Sequence, residues 1–194
     1  MTAQARRFAN DNLGVFNHLN VTAVLSTSSG CGATLDEYSL MGSGTGFKMP
    51  VLDISQFLNT IEWPADLRFQ QNNCHVMIHD PCSLRHVMHR EKEPYKLLNK
   101  IPGLGITPLP GNERCCGAAG SYMLSQPDMA DSLRDDKIAH LAQSNADYLV
   151  TSNIGCAIHL MAGSRAKGLD IEVIHPVTLL ERQLIKSKDA RAHD

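Results

Sequence analysis

The chain has 194 residues, with 18 Lys and Arg against 20 Asp and Glu and a formal net charge of -2. That balance excludes a basic nucleic-acid footprint and an acidic tail. A composition of 43% hydrophobic and 20% charged residues is that of a globular protein rather than a disordered one, long enough for one domain or two small ones. Its apolar runs are too short to span a bilayer, and its first twelve residues lack the apolar stretch of a secretory signal.

In chain order, residues 3–19 read as a helix with Ala5, Phe8, Ala9, Phe16 and Leu19 on one face. Residues 21–25 read as a short buried strand entering a loop of small residues, 26–32. Residues 33–39 begin a short helix, and 41–46 read as a flexible Gly-rich loop. A second strand covers 51–54, with Ser55 as the cap of a helix running to Asn59. Residues 62–74 are polar, contain Pro64 and read as a linker. A strand over 75–79 ends at Asp80-Pro81-Cys82, followed by a helix over about 91–100 with Pro94 in its first turn. Residues 105–109 are extended. A long helix covers 127–144, opened by Pro127 with Ala130, Leu133, Ile138 and Leu141 inward. A strand over 147–151 enters the loop 152–156, and a last strand over 171–174 precedes a helix over about 177–186.

An internal repeat organises these elements. Val24-Leu25-Ser26-Thr27-Ser28-Ser29-Gly30-Cys31 aligns with Leu149-Val150-Thr151-Ser152-Asn153-Ile154-Gly155-Cys156, and Val51 to Leu58 aligns with Val173 to Leu180. Each copy runs helix, strand, helical stretch, Gly-containing loop, strand, helix. The fold class is therefore α/β, with two related parallel βα units of which the first is incomplete. The expected division is 1–61 for the C-terminal part of a first repeat, 62–74 for the linker, 75–186 for a complete second repeat and 187–194 for a tail. Cys-bearing loops just past strand carboxyl ends lie where open α/β sheets place their sites.

Six Cys and nine His are the unusual counts. Without a signal peptide, such cysteines point to metal or redox chemistry. Cys82, the adjacent pair Cys115-Cys116 and Cys156 fall within the second repeat, all four in loops by this reading. Four thiolates suit a [4Fe–4S] cluster and equally suit tetrahedral zinc. Neighbouring Gly and Ala let backbone amides approach a buried anionic centre. Cys31 is a secondary candidate because its repeat supplies no Cys pair beside it, and His159 is one by the resemblance described below. Cys74, without a repeat counterpart, reads as a core or surface thiol. His79 stands near enough to Cys82 to hydrogen-bond a cluster sulfur or to be a strand-end His satisfied by backbone. His86 and His89 have a zinc-like spacing but no third ligand nearby. Arg114 either offsets cluster charge or is solvated. The Ser26–Ser29 run has no His or Asp at a triad spacing, and the repeat explains it better.

The stretches Ile78-His79-Asp80-Pro81-Cys82-Ser83-Leu84-Arg85-His86, Cys115-Cys116-Gly117-Ala118-Ala119-Gly120-Ser121-Tyr122 and Asn153-Ile154-Gly155-Cys156 resemble the cysteine-rich CCG domain. That domain occurs in tandem in heterodisulfide reductases and related iron–sulfur oxidoreductases, and the likeness is nearest to glycolate oxidase iron–sulfur subunits. Ser29-Gly30-Cys31-Gly32-Ala33 with Glu37-Tyr38 resembles the end of a preceding repeat. The resemblance implies Cys82, Cys115, Cys116 and Cys156 as ligands of a [4Fe–4S] cluster. It implies an electron-transfer role in a flavin-dependent 2-hydroxy-acid oxidase, with FAD on a partner protein and electrons passing towards a membrane quinone pool. A separate chain supplying the missing half is a second expected partner. The expected location is the cytoplasm, at the inner face of the membrane as a peripheral protein, and the chain is not expected to be catalytic alone. Three departures stand out. Cys156-Ala157-Ile158-His159 replaces the Cys-x-x-Cys ending, the first repeat lacks its own ligand set, and there is no ferredoxin-like Cys-x-x-Cys run. They suggest a truncated or split form. The competing readings are a zinc-stabilised docking module, a thiol–disulfide enzyme using Cys115-Cys116, and an inactive fragment.

Overall fold

The computed structural model describes residues 2–40 and 46–185. The first unit opens with helix α1 (Ala3–Phe16), followed by strand β1 (Val24–Ser26), helix α2 (Ser29–Asp36) and a 3-10 turn over Glu37–Leu40. Strand β2 (Val51–Asp53) and helix α3 (Ile54–Thr60) complete it, and β1 and β2 pair in parallel as a two-stranded sheet. The second unit contains β3 (His75–Ile78), a π-helical turn over Ser83–Val87, α4 (Glu93–Leu98) and β4 (Gly105–Pro108). It continues with α5 (Tyr122–Ser125), α6 (Pro127–Ala142), β5 (Tyr148–Val150), α7 (Ile154–Ala166), β6 (Glu172–Ile174) and α8 (Pro176–Arg182). Its four strands are all parallel, in the order β4-β3-β5-β6.

The period-two alternation of the strands separates the second unit's core into two faces. Val76 and Ile78 of β3, Val150 of β5 and Ile174 of β6 pack with Leu97, Leu98, Leu179 and Leu180 from α4 and α8. Leu149 packs on the opposite face with Ile138, Leu141 and Leu160 from α6 and α7, joined by Met77 and Val173. Strand order 4-3-5-6 means that the chain first steps outward from β3 to β4 and then returns past β3 to lay down β5. A topological switch point therefore lies between the carboxyl ends of β3 and β5, where neighbouring loops diverge and leave a crevice.

The repeat extends to register and capping. Leu25 pairs with Leu52 as Val150 pairs with Ile174. Asp53 caps α3 by accepting from the Ser55 N–H at 2.8 Å, and its counterpart His175 caps α8 by accepting from the Val177 N–H at 3.2 Å. The capping residue is thus Asp53 rather than Ser55, because its carboxylate reaches forward to an unpaired donor of the first turn. Two further expectations are corrected. Phe8 and Leu19 are 56% and 49% exposed; α1 buries Ala9, as expected, and Leu13, against Tyr38 with Leu35 and Phe47. Cys31 and Cys156 lie in the first turns of α2 and α7, not in loops. Residues 62–74 hold no helix or strand of more than a single bridge, yet Trp63 and Phe69 pack on the core and Phe69 bridges Leu184. The predicted loop at 41–46 falls, except for Gly46, outside the described residues, as does the tail at 187–194.

Equivalent positions in the two units are buried unequally: Val150 is 0% exposed, whereas Leu25 is 41% exposed. Val150→Ala is expected to cost about 2 kcal/mol, and Leu25→Ala less than about 1 kcal/mol. Urea-unfolding midpoints of the two variants check the difference, and equal losses would contradict this packing.

Candidate metal centre

The switch point gathers chemistry from three loops. The turn after β3 carries His79, Asp80 and Cys82; the turn after β4 carries Asn112 and the Cys115-Cys116 pair; β5 leads through Thr151 into α7, which carries Cys156. Asn112, which no sequence motif singles out, is buried and joins the first two turns. Its Oδ1 accepts from the Asp80 N–H at 3.1 Å, and its Nδ2 donates to the Ile78 carbonyl at 2.9 Å. Asp80 is anchored by the Tyr95 hydroxyl at 3.0 Å and Arg85 at 3.3 Å. Its carboxyl is pushed above the usual range by burial, against the pull of those partners. Asn153 caps α7 through the N–H groups of Gly155 and Cys156, at 3.0 and 3.3 Å. Cys156 therefore sits in the first turn of a helix.

Gly117 explains the glycine after the Cys pair. Its φ is +91°, and a Cβ there would stand 2.3 Å from the Ala130 carbonyl oxygen, so a side chain would collide with backbone in a conformation that L residues rarely adopt. The Gly117 N–H points at Cys115 Sγ at 3.3 Å.

The four cysteine side chains come together in a continuous run. Cys115 interacts with Cys116 and Cys82, and Cys116 also meets Cys156. Hydrogen bonds from Cys116, Cys82 and the Gly117 N–H, with His79 nearby, hold the Cys115 thiol down at about 2. The same bonding to Cys115, joined by burial, pushes Cys82 and Cys116 up. Among the described residues, one group of His, Cys or acidic side chains has metal-holding geometry. Donor atoms of His79, Cys116 and Cys156, all buried, lie within 4.8 Å of one another. Burial, reinforced by the charge of Lys137, holds His79 down at about 3, so its ring is neutral around neutral pH. Lys137 is 2% exposed and donates to the Gly111 carbonyl at 2.6 Å. Burial lowers its pKa, while Cys116, Glu113 and Cys115 favour its charge. It is a buried cation within reach of the thiols, and nothing in its sequence context marks it.

Thiols from two turns and the first turn of α7, backbone N–H groups and a buried cation are the chemistry that an iron–sulfur cluster or tetrahedral zinc requires, so the donor set fits such a group. The remaining candidates lie elsewhere. Cys31 is exposed on α2. His159 is buried, and its Nε2 donates to the Ala130 carbonyl at 3.1 Å. Cys74 precedes the amino end of β3, away from the cysteine run. His86 and His89 share no helical face, since the π-helical turn ends at Val87 and His89 adopts a left-handed φ of 54°. Arg114 is engaged by Asp136 at 2.5 Å and by Glu113 at 3.6 Å. In the Ser run, Ser29 Oγ accepts from Ser83 at 2.9 Å and from Asn153 at 3.2 Å. The first unit is thereby joined to both walls of the crevice.

Residues 76–161 match the family model of the cysteine-rich CCG domain, and this matched segment contains the whole cysteine run. Residues 76–161 are thus similar to the cysteine-rich CCG domain. The chain is also similar in sequence to three named proteins over most of its length. It is 32% identical to the glycolate oxidase iron–sulfur subunit of Escherichia coli strain K12 over 172 residues, 84% of this chain and 40% of that one. It is 30% identical to the probable glycolate oxidase iron–sulfur subunit of Bacillus subtilis strain 168 over 186 residues, 90% of this chain and 42% of that one. It is 28% identical to lactate utilization protein A of Oceanobacillus iheyensis over 169 residues, 83% of this chain and 69% of that one. The chain thus spans 40% and 42% of the length of the first two relatives. No helix among the described residues is long and apolar enough to cross a membrane.

In metal-free protein, Cys115 is expected to be the thiolate. Its lowered pKa keeps it deprotonated at pH 6, where a thiol at the ordinary 9.0 would react about a thousandfold below its full rate. Iodoacetamide labelling read by peptide mass mapping should modify Cys115 before Cys82 and Cys116, at a rate nearly flat from pH 6 to 8. A Cys115 rate rising tenfold per pH unit would contradict the arrangement.

Proposed function

We propose that this chain is the iron–sulfur electron-transfer part of a flavin-dependent 2-hydroxy-acid oxidase or dehydrogenase of the glycolate type. The observation that carries this reading is the convergence of Cys82, Cys115, Cys116 and Cys156 at one switch point. The names of the relatives support it, since two are iron–sulfur subunits of glycolate oxidase and a third is a lactate utilization protein. These four cysteines would hold a [4Fe–4S] cluster, which supplies reversible one-electron transfer when bound. Oxidation of the hydroxy acid belongs to a partner protein carrying FAD, and this chain has no catalytic residue of its own. Its residues bind, insulate and orient. Cys116 and Cys156 are sealed into the α6–α7 face of the core, while Cys82 is exposed and marks the side by which electrons enter or leave. Lys137 offsets anionic charge, and the Gly117 N–H and the first turn of α7 do the same through partial charges.

The proposed organisation has 75–186 as the complete repeat that holds the cluster and 1–61 as the later part of a preceding repeat, joined by 62–74 and trailed by 187–194. On this reading Cys31 serves a site completed by residues outside this chain. The assembly works in the cytoplasm, at the inner face of the membrane. A zinc-stabilised docking module is the second reading, favoured by the grouping of His79 with Cys116 and Cys156.

Iron and acid-labile sulfide analysis of protein purified without oxygen tests the proposal. The expected result is about four iron and four sulfide per chain, with a brown absorbance that bleaches reversibly on reduction. Zinc in place of iron would establish the docking module. A colourless metal-free chain that takes up neither metal on reconstitution would overturn both readings.

A further inference from the structure

We propose that His79 supplies a nitrogen ligand to a metal of this centre, beside Cys116 and Cys156. The inference rests on the reading that the cysteine run holds metal, and goes beyond it by adding a nitrogen to the donor set. Sequence spacing points to His159 as the histidine three residues after the last cysteine. The structure assigns the two histidines differently.

His159 is spent on the fold. Its Nε2 donates to the Ala130 carbonyl, bracing α7 against α6. His79 stands among the thiols. Its donor atom and the Sγ atoms of Cys116 and Cys156 are mutually within 4.8 Å. Metal–sulfur bonds of about 2.3 Å and metal–nitrogen bonds of about 2.0 Å at tetrahedral angles place donors roughly 3.5 Å apart. The ring is also oriented as metal-bound imidazoles are, by an oxygen on its other nitrogen. Nδ1 lies 3.0 Å from Thr151 Oγ1, which leaves Nε2 as the ligand atom. Both residues are fixed by the sheet: the His79 N–H donates to the Val150 carbonyl at 2.8 Å, and the Thr151 N–H to the Ile174 carbonyl at 3.0 Å. A 1% exposed imidazole held from two strands and facing two thiols is placed for coordination rather than for contact with solvent.

Two measurements test this. The first uses the iron–sulfide form of the full chain, grown with nitrogen-15 histidine and reduced. Pulsed electron paramagnetic resonance should show a strong, directly bonded nitrogen coupling that changes with the isotope. It should persist in His159→Gln and vanish in His79→Gln. The second uses metal-free chain and cobalt(II) alone. His79→Gln should bind cobalt at least tenfold more weakly, with altered ligand-field bands. Thr151→Val, which keeps the imidazole but releases its anchor, should bind about tenfold more weakly, and His159→Gln should bind as the native chain does. Absence of the coupling in native protein, or cobalt binding indifferent to His79→Gln and Thr151→Val, would overturn the proposal. Failure to incorporate iron and sulfide would instead defeat the electron-transfer reading, and the cobalt titration would still decide the role of His79.

Discussion

Several thiols crowded into one buried crevice must share protons or charge, and the rest of this structure answers to that constraint. In the metal-free chain the thiol of Cys115 is held low by its neighbours, while Cys82 and Cys116 are pushed up by Cys115 and by burial. Around it stand groups that favour negative charge. The Gly117 N–H faces Cys115, the first turn of α7 carries Cys156, and Lys137 is buried nearby. A positively charged metal centre would replace the shared protons, so the same surroundings suit both states.

The fold delivers this crowding through topology. The three Cys-bearing segments lie far apart in sequence, yet parallel strands in the order β4-β3-β5-β6 bring their carboxyl ends side by side. Asn112 then ties the β3 and β4 turns together, while Ser29 of the first unit meets Ser83 and Asn153 across the crevice. The first unit therefore does more than echo the second, because it buttresses the walls that carry Cys82 and Cys156. The pairing of Asp53 with His175 as helix caps shows how far the duplication persists where the chemistry has diverged.

Much of this was legible in the sequence, and the failures have physical causes. The alternation of strands and helices follows from local patterns, and spacing singles out Cys82, Cys115, Cys116 and Cys156, which the fold brings together. Gly and Ser around Cys31 and Cys156 read as loop, but Asn153 is a helix cap and Gly155 lies within the first turn of α7. Asp53 read as strand because its backbone is extended, although its side chain already serves the next helix. Phe8 and Leu19 sat on a plausible apolar arc with Ala9, yet the small first unit buries only Ala9 of these three, together with Leu13. Lys137 and Asn112 were invisible because their partners, Gly111 and the turn after β3, are supplied by tertiary structure. The contrast between His79 and His159 was hidden for the same reason, since only the pairing of β3 with β5 places Thr151 against the His79 ring.

Four of the six cysteines, and not Cys31 or Cys74, form one metal-holding centre on this account. The most direct measurement is iron content across six single Cys→Ser variants reconstituted without oxygen, with circular dichroism as the check on folding. The account predicts that Cys82→Ser, Cys115→Ser, Cys116→Ser and Cys156→Ser each lose most of the iron and the visible absorbance, while Cys31→Ser and Cys74→Ser retain both. Full iron retention in any of the first four folded variants, or its loss in Cys31→Ser, would contradict it.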